Sequence, residues 1–364
     1  MQSEKRTERK ISVFFLVPAP PGISPGQRFR FEHYLGYLSE KNIDYKISSF
    51  YSPSGWKAIF THGNSFRKGL IVVRGFCKRA IDLLRLVRYD YIFIYREVAP
   101  IGPPICEWII AKLFRKKIIY DFDDAIWIPA SSQYNKAAAY FKWFGKIASI
   151  CRWSHKVSVG NDYLAQYALR QNGNTIVIPT VVDTRIVHNR IQDQLTANPV
   201  IGWTGTFSTL KYLDIVLPVL QRLQETFGFT FVVIANKDPK LALKNYKFID
   251  WQKETETNDL LNMHIGLMPL YDDELSKGKC GFKAIQYMSL GIPAVVSPVG
   301  VNSQIVDDGI NGFVCDQPGE WEAKLTELLM RSDLRQKLGV AARAKIESAY
   351  SVLATRDLFL SLFS

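Results

Sequence analysis

Three lysines and two glycines lie close together at the start of the segment "KGKCGFKAIQYMSLGIPAVVSP", residues 277–298: Lys277, Gly278, Lys279, Gly281 and Lys283. The apolar residues that follow recur at the spacing of one helix face, and a buried strand comes next, after Gly291 as the helix end. Helix N-terminal amides attract anions, and glycine permits close approach of a backbone to a ligand. The segment therefore predicts an anion site at a helix start. A solvated surface loop is the alternative.

A second glycine turn, in "GWTGTFSTLKYLD", follows the first predicted strand of the second half. Gly205 allows a tight turn there, and helix amides together with Lys211 would form a cradle for a diphosphate. Thr206 and its neighbours can also cap the helix that begins at this point. Because capping explains the hydroxyl residues but not the glycines, the sequence favours a binding loop.

The loop after the first predicted strand, "PAPPGISPGQRFR", is less specific. It lacks the GxGxxG spacing of a dinucleotide site. Gly22 still allows a ligand to approach the backbone, and Arg28 could pair with a phosphate or a carboxylate. A proline-stiffened surface loop with solvated arginines explains these residues equally well.

An acidic cluster in "YDFDDAIW" ends another predicted strand and contains Asp121, Asp123 and Asp124. Carboxylates at this spacing can hold Mg²⁺ or Mn²⁺, cap the next helix, or contact a neutral substrate. No second acidic cluster lies nearby in the sequence, the five cysteines show no CxxC pair, and the histidines show no HxxxH pair. The sequence therefore predicts neither a metal site nor a resident cofactor, and scattered cysteines indicate a reducing compartment.

Predicted strands and helices alternate through both halves of the 364 residues, which is the pattern of parallel sheets covered by helices. We expect an α/β protein with two doubly wound Rossmann-like domains facing across a cleft, residues 1–190 and 191–344. The last helix, about 345–364, is a candidate to pack back on the first domain. Two further local expectations are one helix over 209–227 and a loop over 271–281.

The net charge of +12 is concentrated in the first domain, since residues 1–190 contain 29 Lys and Arg against 14 Asp and Glu. Within it, residues 66–88 place seven cations among apolar residues at helical spacing. This pattern suits a helix on an anionic membrane surface, and it equally suits an amphipathic helix packed on the sheet. Nucleic acid is disfavoured because no recognition motif accompanies the charge. The basic start and short apolar run of residues 1–17 predict a disordered leader and a first strand in a cytoplasmic protein.

A family resemblance rests on the run from "GLMPL" through "GFKAIQYMSLGIPAVVSPVGVNSQIVDDGINGFVC", supported by "IPTVVDT" and "IGWTGTFSTLKYLD". These stretches resemble the donor-binding half of the retaining, GT-B-fold glycosyltransferases of family 4, the glycosyl transferases group 1. The likeness covers both halves of the chain and is specific over residues 265–315. It implies a UDP- or GDP-linked sugar donor, a hydroxyl acceptor and no metal.

The chain departs from the family's EX7E motif, because Gly278 stands at the first glutamate and Gln286 at the second. The resemblance implies that Gln286 contacts the ribose and that Lys277 and Lys279 reach the diphosphate in place of the missing carboxylate. Gly281, Phe282 and Lys283 complete this part of the expected donor site. A member with impaired activity is an alternative.

Three further positions can each be compared with the family's pattern. Lys211 matches the family's phosphate-binding lysine, Thr206 stands where its partner arginine is usual, and Asp123 stands where a histidine usually touches the transferred sugar. Trp251, after the strand "YKFID", could flank the base or be an ordinary core residue.

The resulting hypothesis is transfer of a sugar with retention, with Lys211, Lys279 and Lys283 stabilising the leaving diphosphate. Asp123 joins Lys211 and Lys279 as an expected catalytic residue. A basic first domain suggests a lipid-linked glycan as acceptor, made at the inner face of a bacterial envelope. A nucleotide-sugar epimerase of the same fold and a non-catalytic sugar-binding protein are the alternatives.

Overall fold

The computed structural model describes residues 10–61, 63–129 and 142–364. The chain forms two compact units, each built on its own sheet. The first unit runs to Val159 and includes Leu164–Ile178 and Arg356–Ser364. The second comprises Gly160–Tyr163 and Pro179–Thr355.

The first sheet has six parallel strands in the order β2-β1-β3-β4-β5-β6. Their bounds are β1 Ile11–Val17, β2 Ile43–Ser49, β3 Tyr91–Tyr95, β4 Lys117–Phe122, β5 Lys156–Val159 and β6 Thr175–Val177. The central strands are almost uninterrupted apolar runs because helices cover both faces of such a sheet. The strand expected over 11–17 is confirmed, and the one expected over 116–123, "KKIIYDFD", is confirmed over 117–122.

The second sheet repeats this plan with six parallel strands in the order β12-β11-β10-β7-β8-β9. They are β7 Val200–Thr204, β8 Thr230–Ala235, β9 Tyr246–Asp250, β10 Ile265–Met268, β11 Ala294–Val296 and β12 Gly312–Val314. The chain runs outward from β7 to β9, then returns to β10 on the other side of β7. Ligands of open parallel sheets bind at such a reversal, beside the carboxyl ends of the strands. Loops after β7 and β10 flank this point.

Helices connect the strands. Those of the first half are Pro25–Arg30, Leu35–Glu40, Pro53–Ile59, Ser65–Leu86, Ile105–Trp108, Lys146–Trp153 and Asp162–Leu169, with a π-helical turn at Ile109–Leu113. Those of the second half are Leu217–Thr226, Glu256–Leu260, Glu274–Lys277, Phe282–Ser289, Asn302–Ile305, Pro318–Met330, Ser332–Ala349 and Val352–Leu360. Short 3₁₀ segments occur at Glu32–Tyr34, Phe207–Ile215 and Ser361–Phe363. Within the described ranges, no helix combines the length and apolar character needed to cross a membrane.

Two local expectations about the second half are wrong. The single helix expected over 209–227 is a 3₁₀ segment followed by an α-helix, because Pro218 lacks an N–H and can only stand in the first turn of a new helix. The loop expected over 271–281 contains the short helix Glu274–Lys277. Asp273 caps that helix by accepting a 2.7 Å hydrogen bond from the Ser276 N–H.

The expected end of the helix Phe282–Ser289 is confirmed, since Gly291 has a φ of 68°. The C-terminal residues Arg356–Ser364 belong to the first unit, where Phe359 stacks on Tyr34 with 4.2 Å between ring centroids. Phe363 meets Tyr91 edge-on at 5.8 Å. The last described residues of the chain thus pack on the first unit.

A close backbone crossing fixes the helix Phe282–Ser289 against the helix Ser332–Ala349. A Cβ placed on Gly339 would lie 2.2 Å from the carbonyl oxygen of Gly291, which is closer than real contacts allow. Gly339→Ala should therefore lower the free energy of unfolding by about 1–3 kcal/mol, the usual cost of overpacking. Thermal and denaturant unfolding of the purified chain measure the change.

Gly319→Ala is the matched control, because Gly319 lies in a helix and a Cβ added there would have no heavy atom of the described residues within 4 Å. Alanine should leave stability unchanged or raise it there. Equal stability of the two variants would contradict the close crossing.

Candidate functional site

Two lysines from the loops after β7 and β10 meet at one aromatic ring. The ammonium of Lys211 lies 5.2 Å from the ring centroid of Tyr212, and that of Lys279 lies 5.8 Å from the same centroid. Both distances are within the range of a cation–π contact. The structure thus brings together two cations that are 68 residues apart in the sequence.

Tyr212 also ties the two loops to each other. Its hydroxyl is 3.0 Å from the hydroxyl of Ser276, and its ring lies 5.6 Å from that of Tyr271. The Tyr271 hydroxyl in turn donates to the carbonyl oxygen of Lys211 at 3.2 Å. Tyr212 is buried, so the loop carrying Lys211 has a fixed position relative to the loop carrying Lys279.

The helix Phe282–Ser289 begins beside these lysines. Gly281 precedes it in the left-handed region, with a φ of 66°, and a Cβ at that position would lie 2.0 Å from Cδ1 of Ile305. Gly281, the residue at the N-cap position, has no side chain that could cap the helix start. Glycine is therefore required here by both conformation and space, and the positive end of the helix dipole lies next to the lysines.

Lys283, in the first turn of that helix, lies over the indole of Trp203 with its ammonium 5.4 Å from the ring centroid. Room for this indole depends on Gly205, since a Cβ there would lie 2.3 Å from the Trp203 ring. Thr206 donates its N–H to the Thr209 hydroxyl at 3.1 Å, which starts the 3₁₀ segment. Gly205 and Thr206 thus shape the loop, and Lys283 lies over the indole at the end of β7.

Asn161 holds the basic loop from outside the β7–β10 region. Its side-chain amide donates to the carbonyl oxygens of Lys279 at 2.9 Å and Lys277 at 3.3 Å. Gly300 supports the same loop, because a Cβ there would lie 2.9 Å from the Lys277 carbonyl oxygen. Gly278, the position of the missing glutamate, is buried in the same loop. Asn161 and Gly300 were missed by sequence reasoning, since neither is near the loop in the chain and no pattern links them to it.

Lys277 is directed to a different partner from the one expected. Its ammonium forms an exposed ion pair with Asp272 at 2.9 Å, and the hydrogen bond and charge of Asp272 raise the pKa of Lys277. A diphosphate would have to compete with this carboxylate for the ammonium. Of the lysines expected in the donor site, Lys211 and Lys279 lie over the Tyr212 ring and Lys283 lies over the Trp203 ring.

Gln286 lies one turn after Lys283 and is only 2% exposed. Its Nε2 has no hydrogen-bond partner within the described part of the chain. Buried amide groups are nearly always satisfied, and an unsatisfied one costs about 1–3 kcal/mol. This donor is therefore suited to a ligand hydroxyl or carbonyl that reaches the start of the helix.

Two aromatic residues of the expected donor site lie at separate places. Trp251 follows β9, is half-buried, and donates its indole N–H to Glu256 at 3.1 Å. Phe282 is half-buried at the first position of the lysine-flanked helix. Trp251 is thus near the outer edge of the sheet, two strands from the reversal point.

In the first unit, Asp123 lies in a polar cluster after β4. It accepts hydrogen bonds from the Tyr95 hydroxyl at 2.9 Å and the Arg96 Nε at 2.8 Å. Burial raises the pKa of Asp123, but the charges of Arg96 and Arg30 and these hydrogen bonds outweigh burial and hold that pKa below its usual value. Asp123 is therefore ionised at neutral pH, and these hydrogen bonds hold its carboxylate in place.

The polar cluster around Asp123 contains a strained backbone residue and a close packing contact. Arg96 has a φ of 59°, which side-chain-bearing residues rarely adopt, and its guanidinium also pairs with Asp124 at 2.5 Å. A Cβ on Gly26 would lie 2.4 Å from the Tyr95 hydroxyl. The helix Pro25–Arg30, which follows β1, thus lies against the residues that hold Asp123.

The remaining residues of the first loop have structural contacts. Gly22 donates its N–H to Glu32 at 2.8 Å, and Arg28 is buried with its guanidinium 4.7 Å from the Phe29 ring centroid. Arg30 pairs with Asp121 at 2.6 Å in the interior. Arginines engage all three carboxylates of the acidic cluster, and none of the described residues forms a group of three metal-ligating side chains.

Part of the sequence is similar to a known family and to one curated protein. Residues 198–331 match the family model of the glycosyl transferases group 1. Spore coat protein SA of Bacillus subtilis (strain 168) is 27% identical over 79 residues, which are 21% of this chain and 21% of that protein. The matched part thus spans about a fifth of that curated relative.

Two solved structures resemble the whole chain. A glycosyltransferase from Rickettsia africae ESF-5 superposes with a TM-score of 0.69 at 13% identity, covering 98% of each chain. The Anabaena protein HepE in complex with UDP superposes with a TM-score of 0.61 at 16% identity, covering 96% of this chain and 99% of that one. Together with the two parallel sheets, these likenesses confirm the expected fold class of two doubly wound GT-B domains.

Asn161→Ala should loosen the basic loop, because two of its carbonyl groups lose their fixed donor. Amide hydrogen exchange of the segment 277–284 should become faster than in the native chain, since protection follows local opening. Mass spectrometry of peptides across the chain measures this.

Asn262→Ala is the control, because the Asn262 amide bonds to carbonyl groups three and four residues before it, within its own turn. Unaltered exchange over 277–284 in Asn161→Ala would contradict the role assigned to Asn161.

Proposed function

We propose that this chain, whose residues 198–331 match the glycosyl transferases group 1, transfers a sugar from a nucleoside diphosphate sugar to a hydroxyl acceptor. The observation that carries the proposal is the group of Lys211, Lys279 and Lys283 at the reversal point of the second sheet. Like-charged ammonium groups repel one another, so their convergence beside a helix start fits a multiply charged anion.

The leaving group explains why cations are needed. When the bond from the anomeric carbon to the diphosphate oxygen breaks, negative charge grows on the diphosphate. Ammonium groups and helix amides already in position stabilise that charge without reorganising, which is the largest contribution in many enzymes. The cation–π contacts with Tyr212 and Trp203 restrict the lysines before the donor arrives.

Gln286 is assigned to the nucleoside side of the donor. Its unpaired Nε2 can donate to a ribose hydroxyl, and its amide oxygen can accept from another. A neutral amide makes weaker hydrogen bonds than a carboxylate, so this contact is a weaker form of the one that a glutamate would make. Gly278, which stands at the family's first glutamate, supplies no carboxylate, and its neighbour Lys279 supplies a positive charge instead.

We further assign retention of the anomeric configuration, a metal-independent reaction and a lipid-linked glycan acceptor at the cytoplasmic face of an envelope membrane. Retention and metal independence rest on the family likeness, and the three cations supply the charge that a metal would otherwise supply. Asp123 is assigned to contact the transferred sugar, because it is a fixed carboxylate in a loop at the carboxyl end of β4. NMR of the product from an α-linked donor would show an α-linkage for retention.

Lys211→Ala should weaken binding of both a nucleoside diphosphate and inorganic diphosphate, by about 10-fold or more, because it removes a charge-assisted contact to phosphate. Gln286→Leu should weaken only the nucleoside diphosphate and leave inorganic diphosphate unaffected. Calorimetry with UDP, GDP and diphosphate measures both effects.

Lys247→Ala, an exposed lysine of β9, is the matched control and should bind every ligand as the native chain does. If Lys211→Ala and Gln286→Leu both retained native affinity for every ligand, the assignment of the site would be wrong. Release of an epimerised free sugar without an acceptor would indicate an epimerase instead.

Asp123→Asn should lower kcat for sugar transfer by about 10-fold or more while leaving nucleoside diphosphate affinity unchanged, because it removes one negative charge from the first unit without changing shape. Asp44→Asn, an exposed carboxylate of the same unit, controls for loss of charge alone. If Asp123→Asn turned over the substrate at the native rate, Asp123 would have no role in the reaction.

A further inference from the structure

The helix Ser65–Leu86 packs on the first unit through apolar residues and through a buried charged pair. Ile71 and Val72 pack against the buried cluster of Phe50, Tyr51 and Ala99. The helix also buries Arg79 and Asp82, which form an ion pair at 3.0 Å. Arg79 also donates to the carbonyl oxygens of Val17 at 2.7 Å and Val98 at 2.9 Å. These contacts fix which face of the helix is inward, and they satisfy the buried guanidinium.

Large apolar side chains occupy the outward face. Phe66 is 80% exposed, Leu84 74%, Val73 58% and Leu70 55%. Together with Ile81, 49% exposed, they follow one another at steps of four, three, eight and three residues, which keeps all five on one side of the helix. Single exposed apolar residues are ordinary, but a row along the length of a helix marks a surface that meets an apolar environment.

A basic groove of about 550 Å³ runs beside this row. Four cations from the helix line it, namely Arg67, Arg74, Lys78 and Arg85. Its other wall is the segment after β2, including Phe50 and Ser52, and the described lining contains no acidic side chain. The groove therefore lies at the carboxyl-end edge of the first sheet.

The local potential in the groove is positive. The inward carboxylate, Asp82, is already paired with Arg79. Burial and then the charge of Arg79 lower the pKa of Lys78; Asp82 opposes them, and Arg85 adds a further, smaller lowering. A row of cations that repel one another is stabilised by an anion placed among them.

We propose that the row Phe66, Leu70, Val73, Ile81 and Leu84 and the basic groove beside it dock the chain on an anionic lipid bilayer. The apolar row enters the interface between headgroups and acyl chains, and the groove takes lipid phosphate groups. Nucleic acid would match the cations but leave the apolar row in water, so the bilayer fits both halves of the surface. The inference that this surface presents a lipid-linked acceptor rests on the proposed function; lipid binding itself does not require the donor.

The test is co-sedimentation of the full chain with vesicles of phosphatidylglycerol and phosphatidylcholine in equal parts, compared with phosphatidylcholine alone. We expect binding to the anionic vesicles and its loss as salt is raised, since salt screens the phosphate contacts. Arg74→Glu/Arg85→Glu should lower the partition coefficient about 10-fold or more. Phe66→Ser/Leu84→Ser should lower it while leaving the salt dependence in place.

Lys41→Glu/Lys46→Glu is the matched control, because it makes the same change in net charge at exposed lysines of the first unit away from the groove. Thermal unfolding and calorimetry with UDP and GDP, run on every variant, show whether folding and the second unit are intact. Loss of lipid binding with native nucleotide binding separates this proposal from the proposed function.

Three outcomes would overturn the proposal: no binding to anionic vesicles by the native chain, equal binding by the native chain and both surface variants, or an equal loss in the control variant. Tighter binding to random duplex DNA than to anionic vesicles, abolished by Arg74→Glu/Arg85→Glu, would assign the groove to nucleic acid instead.

Discussion

The meeting of the loops after β7 and β10 at the Tyr212 ring is the constraint on which the candidate site in the second unit depends. The parallel sheet reverses between β7 and β10, and the loops on either side deliver these cations to one place. Tyr212 and Trp203 lie under the ammonium groups, Gly205 makes room for the indole, and Asn161 holds the backbone of the basic loop. Each of these residues holds part of the two basic loops in place.

Much of this architecture could be predicted from the sequence, because apolar runs between helical stretches have one stable arrangement as parallel sheets. The position of the lysines could also be predicted, since loops after strands meet at one edge of a sheet. The split at Pro218 could have been predicted too, because proline has a fixed effect on helix hydrogen bonding.

Other features depend on contacts that periodicity does not encode. Asn161 reaches Lys279 from a distant part of the chain. Gln286 is buried although it is polar, because its helix packs between the sheet and the helix Ser332–Ala349. The helix Ser65–Leu86 could not be oriented from its pattern, since it buries an ion pair and exposes a row of large apolar side chains. The two units thus present different chemistry: discrete cations around aromatic rings in the second, and a broad basic and apolar surface in the first.

The most direct test of the anion site is a crystal structure of the chain with UDP or GDP bound. We expect diphosphate oxygens within hydrogen-bonding or ion-pair distance of the ammonium groups of Lys211 and at least one of Lys279 and Lys283. We also expect a ribose hydroxyl on the Gln286 amide. A nucleotide bound elsewhere, with these three lysines making no contact to phosphate, would contradict the assignment.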